Sequence, residues 1–187
     1  AKKMKNKLTS SLLVSSLLFS LFSFTALAAP TILSELDQTF LQHNLSAQLS
    51  VIKITDDSQS AQIKQGQIEL TIPSTLPIIF DDERTLREIK LYGPAVTNGK
   101  VQESAAVTIT NRDKTLVIPI IADFEPNEYL NINQIFVEGF YYQPAQSDNL
   151  TLKIAGSETL YKDLRHLYVN ESAIQDLNQP EAPSNIQ

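Results

Sequence analysis

Carboxylates are the residues of this chain best suited by type and spacing to do chemistry. Asp56-Asp57 and Asp81-Asp82-Glu83 fall in turn-forming stretches, and Asp123, Glu125 and Glu128 bracket a third. If loops at one end of a domain gathered Asp56, Asp57, Asp81, Asp82, Asp123 and Glu125, they could hold calcium, which takes about 6–8 oxygen ligands. No Asp-x-Asp-x-Asp-Gly run is present, so solvated acidic loops are the plain alternative reading. Two such acids about 5–10 Å apart could instead hydrolyse a glycoside.

Other catalytic chemistries have little to work with. The two histidines, His43 and His166, lie far apart in sequence, and there is no cysteine. Gly-x-Ser-x-Gly, His-Glu-x-x-His and a glycine-rich phosphate loop are all missing. The expectation is therefore a non-enzyme with no catalytic residues and no cofactor other than calcium. A binding role has better candidates in Tyr92, Tyr141 and Tyr142, each near the end of an expected strand, where an exposed ring can stack on a sugar or anchor a protein. Strand alternation turns one of Tyr141 and Tyr142 inward, and the lack of tryptophan weighs against carbohydrate.

What carries these residues is exported. Lys2, Lys3, Lys5 and Lys7 precede an apolar run from Leu12 to Leu27 that closes on Ala26-Leu27-Ala28. This is the pattern of a secretory signal peptide over residues 1–28, and it places the rest of the chain outside the membrane, secreted or at a cell surface. Removing the leader's four lysines from the 15 basic residues leaves 11 against 21 acids, a net charge of −10. Such a surface repels nucleic acid and anionic lipid headgroups, so the expected partners are an extracellular protein or polysaccharide. Without cysteine there is no disulfide scaffold, no thiolate metal site and no lipidated cleavage-site thiol. The core alone must hold the fold, as a monomeric module.

From residue 46 onward, apolar residues recur at period two in bursts separated by turn formers. Strands are expected at 47–55, 66–72, 76–80, 87–92, 105–110, 115–122, 130–137 and 150–155. Asn98-Gly99 suits a turn with positive φ, and Asn111 to Lys114 suits a hairpin loop. About 7–9 short strands without a helical segment between them imply an all-β, antiparallel two-sheet sandwich over 46–169. Pro73 and Pro77 belong at a bend, and Pro119 on an edge or bulge. Leu33, Leu36, Phe40 and Leu41 fall at helical spacing, with Ser34 and Asp37 as a capping pair, so 29–45 reads as a short helix or mobile arm. Leu160, Leu164, Leu167 and Tyr168 fit either a helical face or a last strand. Residues 170–187 read as a polar, proline-bearing linker. Asn44, Asn149 and Asn170 head Asn-x-Ser/Thr sequons.

Two runs, Asp57 to Pro73 and Lys114 to Phe140, resemble the Ig-like or cohesin-like β-sandwich modules of bacterial cell-surface proteins. Pro180-Glu181-Ala182-Pro183-Ser184-Asn185-Ile186-Gln187 resembles the opening strand of a fibronectin type III repeat. The resemblance implies a non-catalytic adhesion or scaffold module, the N-terminal unit of a longer surface protein. The alternatives are a carbohydrate-binding module and a secreted glycan-hydrolysing domain using paired carboxylates.

Overall fold

The computed structural model describes residues 29–41, 45–102, 104–140 and 146–170. The leader at 1–28 and the tail from 171 onward, with its fibronectin-like run, lie outside them, as do His43, Asn44, Tyr141 and Tyr142. Among the described residues, no helix is long and apolar enough to cross a membrane.

Two sheets make the body of the molecule. The first has the order β1-β4-β10-β7, formed by Thr31–Ser34, Ile52–Thr55, Tyr129–Asn133 and Lys90–Tyr92, all antiparallel. It is continued by a shorter ladder of β3 (Ser46–Gln48), β11 (Phe136–Glu138) and β6 (Ile79–Phe80). The stretches 47–55 and 130–137, expected as single strands, are therefore each broken in the middle. Gln134 takes φ +58 and its N–H is held by the Asn133 side chain, which kinks the strand there. Leu49 N–H donates to Ile135 C=O across the break and keeps the two ladders aligned.

The second sheet has the order β14-β13-β5-β9-β8, formed by Leu160–Lys162, Thr151–Ile154, Gly66–Thr71, Thr115–Ile120 and Thr108–Thr110. Period-two alternation turns Ile32, Ile52, Ile54, Leu130 and Ile132 of the first sheet inward. Ile68, Leu70, Leu116, Ile118, Leu152 and Ile154 of the second sheet do the same, and all eleven are buried in one cluster. Burying a side chain of this size contributes about 1.5–3 kcal/mol, which is what holds a cysteine-free fold together. The sandwich read from the sequence is the observed architecture.

A third, short ladder closes one side, with the order β12 (Gln146–Asp148), β15 (Leu167–Asn170), β2 (Gln38–Leu41). Its β2–β15 pair is parallel, joining the first strands of the domain to the last. This arrangement corrects the reading of 29–45. Thr31–Ser34 and Gln38–Leu41 are strands, because Ile32, Ser34 and Phe40 face in while Leu33, Leu36 and Leu41 are exposed. Helical spacing among the leucines was coincidental. Ser34 and Asp37 are not a cap. Both oxygens of the buried Asp163 carboxylate accept from Ser34, one from its N–H and one from its hydroxyl, while Asp37 accepts from His166 N–H at 2.7 Å. Residues 160–169 likewise form β14 and β15 and no helix.

Helices appear where strands or loops were expected. Asp82–Glu88 is α1, capped by Asp81, whose carboxylate accepts from Arg84 N–H. The expected strand at 87–92 therefore shortens to Lys90–Tyr92. Pro94–Thr97 is α2, and Gly99 just beyond it takes φ +66, the positive φ expected of the Asn98-Gly99 turn, which here ends the helix. The loop between β8 and β9 is the expected hairpin, with Asn111, Arg112 and Asp113 all at positive φ. Pro119 lies in β9, which has neighbours on both sides. β8 pairs only as far as Val117, however, and Ile121 N–H bonds to Lys100 C=O on that same side, so the missing proline N–H faces a gap in the ladder.

Candidate functional site

Register places the acidic residues at two opposite ends of the sandwich. Thr55 of β4 faces Tyr129 at the start of β10, and Gly66 at the start of β5 faces Ile120 at the end of β9. Asp56, Asp57, Asp123, Glu125 and Glu128 thus share one end. Asp81 N–H donates to Phe136 C=O, and Phe80 N–H to Asp113 C=O of the β8–β9 hairpin, so Asp81 and Asp82 belong to the other. The six candidates Asp56, Asp57, Asp81, Asp82, Asp123 and Glu125 are not brought together. Among the described residues no three acidic or imidazole side chains converge as they would around a metal ion.

At the first end, the carboxylates hold the chain itself. Asp56 is 3% exposed. Its Oδ1 accepts from Asp57 N–H at 2.8 Å, Gln62 N–H at 3.0 Å and Ile63 N–H at 3.2 Å, and its Oδ2 accepts from the last two as well. One side chain thereby closes the loop between β4 and β5. Burial pushes the Asp56 carboxyl up from its ordinary value, and the N–H groups of Gln62, Asp57 and Ile63 pull against that rise. Asp57 accepts from Gln59 N–H. Glu128, also buried, accepts from Asn98 Nδ2 and from Glu125 N–H. Asp123 is held low by Gln65 N–H and Lys64, and Glu125 meets the Lys100 ammonium at 3.3 Å.

The far end has its own acids. Asp81 caps α1 and also accepts from the Ser46 hydroxyl, and Asp82 accepts from Glu83 N–H. Glu138 is raised, first by burial and then by Asp81, Asp82 and Asp113 nearby. Lys114 answers a different need. Its ammonium donates to the C=O groups of Leu76 and Ile78 and reaches Pro73 C=O at 3.5 Å, which pins the bend carrying Pro73 and Pro77. Burial lowers its pKa, and among the described residues it forms no ion pair.

Of the tyrosines, Tyr92 is described and is 43% exposed at the edge of the first sheet. The outer face of that sheet carries a row in register across four strands, Leu33, Lys53, Asn131 and Tyr92. With Glu35 and Val51 these residues line a shallow depression of about 280 Å³. Lys53 Nζ lies 4.1 Å from the centre of the Tyr129 ring. Lys53 and Asn131 escaped sequence reasoning, because only strand register reveals that they neighbour Tyr92. His166 stacks against Tyr168 at 5.8 Å. Asn149, a sequon residue, donates its side-chain amide to the C=O groups of Asp163 and Arg165 and so serves the fold.

No protein-family model matches the sequence, and no curated protein is significantly similar to it. Among solved structures, the chain is similar to a C-terminal fragment of the major pilin of Streptococcus agalactiae, with 9% identity and a TM-score of 0.42 over 76% of this chain and 55% of that one. It is also similar to the collagen-binding domain of a Staphylococcus aureus adhesin, with 12% identity and a TM-score of 0.35 over 77% and 97% of the two chains. A cohesin module from a family 33 glycoside hydrolase of Clostridium perfringens gives 11% identity and a TM-score of 0.34 over 78% and 99%. Pilin, adhesin and cohesin domains are thus the kinds of module that this chain is similar to.

Proposed function

We propose that this chain is an exported, non-catalytic adhesion or scaffold module that serves as the N-terminal unit of a longer cell-surface protein. The observation that carries the non-catalytic reading is the use of its acids. Asp56, Asp57, Asp81, Glu128 and Asp163 all accept hydrogen bonds from backbone N–H groups. Asp56 is the fullest case, its two oxygens accepting from three backbone N–H groups, and a carboxylate used in this way is a weaker nucleophile, proton donor or cation ligand than a free one. Export is supported by the leader over residues 1–28, and the modular role by the fibronectin-like run at the other end.

The test is to express the full chain in a secreting bacterial host and sequence the N-terminus of what reaches the medium or cell surface. The reading expects Ala29 as the first residue. Retention inside the cell with the leader intact would overturn it. Immunodetection in the native organism addresses the modular role: a surface band well above the 20.8 kDa of this chain supports it, and one at or below that mass contradicts it.

A further inference from the structure

The outer face of the β1-β4-β10-β7 sheet combines features that nothing in the fold requires. Leu33 and Tyr92 stand at the two ends of the cross-strand row, 39% and 43% exposed, with Lys53 and Asn131 between them. Adjacent strands lie about 4.8 Å apart, so the row is about 14 Å long. Lys90 and Asn133 pair one step further along β7 and β10, on the same face.

This face carries two lysines without a carboxylate partner. Lys64, Lys100, Lys162, Arg84 and Arg87 each meet a carboxylate, whereas Lys53 and Lys90 form no ion pair among the described residues, a property they share with Arg112, Lys114, Lys153 and Arg165 elsewhere on the chain. Lys53 is held instead over the ring of Tyr129, a cation–π contact that fixes its position without neutralising it. Tyr129 is itself packed on Gly93, where an added Cβ would lie 3.1 Å from the ring, so it supports Lys53 and leaves Tyr92 as the ring open to a ligand. Glu35 is the one acid lining the depression. On a chain with net charge −6, or −10 without the leader's lysines, the described residues of this face set Lys53 and Lys90 against Glu35, a small local excess of positive charge.

We propose that this face binds an anionic polysaccharide. Tyr92 and Leu33 would meet the C–H faces of sugar rings, Asn131 and Asn133 their hydroxyls, and Lys53 and Lys90 their carboxylates or sulfates. Charge complementarity selects an anionic polymer, which the rest of this acidic surface repels. The proposal rests on the exported-module reading only in placing the ligand outside the cell.

Affinity electrophoresis of the protein purified from a host expressing the full chain tests it, in gels containing polygalacturonate, dextran sulfate or neutral dextran. Retardation is expected from one or both anionic polymers and not from dextran, and the arm that responds identifies the anion. Tyr92→Ala and the double change Lys53→Gln, Lys90→Gln should each weaken binding by about fivefold or more, as loss of one stacking or charge contact would. Tyr92→Phe should stay within about twofold, since it keeps the ring. Lys153→Gln, on β13 of the other sheet, should leave binding unchanged, and far-UV spectra confirm that the variants fold. Equal retardation in neutral dextran, equal loss from Lys153→Gln, or no retardation at all would overturn the proposal, the last leaving the face to a protein partner. No retardation by a chain found on the cell surface removes this proposal and leaves the module reading standing. Retardation of a chain retained inside the cell does the reverse.

Discussion

Replacing Asp56 with alanine should be among the most damaging single changes at the loop end of the sandwich. The side chain accepts from three backbone N–H groups, those of Asp57, Gln62 and Ile63, and the residue is 3% exposed. Each orphaned buried N–H costs about 1–3 kcal/mol, and water admitted at the partly buried Gln62 N–H would recover some of that. Relief of the burial cost that raises the carboxyl offsets a further part, so the net loss is about 3 kcal/mol near neutral pH. For a domain of this size that lowers Tm by about 6–12 °C. Asp56→Asn, which keeps one acceptor oxygen and no charge, should fall between wild type and alanine. The pH dependence has a definite sign. Because the folded carboxyl is raised above its ordinary value of 3.8, the folded chain holds more proton than the unfolded one between 3.8 and the raised value. The stability from Asp56 is therefore greatest below 3.8 and declines as pH rises through the raised pKa, so the gap to Asp56→Ala should narrow over that window. Thermal melts by far-UV circular dichroism measure all three proteins. An alanine variant melting within about 2 °C of wild type, with unchanged cooperativity, would refute the claim that this carboxylate closes the loop.

Lys114→Met keeps the stem and removes the ammonium from the carbonyls of Leu76 and Ile78, which should cost about 2 kcal/mol, measured by urea denaturation. The lowered pKa of Lys114 means that wild type gains stability relative to this variant as pH rises from the lowered value toward 10.5. Asp148 has the opposite sign to Asp56. The Thr75 hydroxyl and then Asn149 N–H hold its carboxyl below 3.8, so its stabilisation is present above 3.8 and is lost as pH falls through the depressed value. Asp148→Asn should accordingly melt below wild type at pH 6 and converge with it in acid. A double-mutant cycle on Ser34→Ala and Asp163→Asn should show coupling of about 1–2 kcal/mol, since Asp163 accepts from both the N–H and the hydroxyl of Ser34. Strict additivity would deny that this contact ties the first strand to the end of the domain.

The sandwich was legible in the sequence because period-two burial is a local signal, and Ile68, Leu70, Leu116 and Ile118 announce their own faces. Three kinds of feature were not. The strands at Thr31–Ser34 and Gln38–Leu41 were obscured because four apolar residues happened to match helical spacing, and only pairing with β4 and β15 decides the matter. Helix α1 was missed because its Asp81 cap and acidic first turn look like a solvated loop until the residues after them are seen to wind. The backbone role of the acids was hidden because a sequence shows carboxylates but not the N–H groups they accept from, as at Asp56. The Leu33, Lys53, Asn131 and Tyr92 row joins four separate strands, and nothing short of register could assemble it.

The most direct measurement of the central claim, that these acids hold the chain rather than a cation, is the melting temperature of the purified protein with calcium and with chelator. If the carboxylates of Asp56, Asp57 and Asp81 are occupied by backbone N–H groups, Tm should be the same within about 1 °C in roughly 10 mM calcium, an order of magnitude above the weaker dissociation constants of extracellular sites. A rise of about 5–10 °C, reversed by chelator, is what a site saturated a hundredfold over its dissociation constant would give, and it would contradict the account.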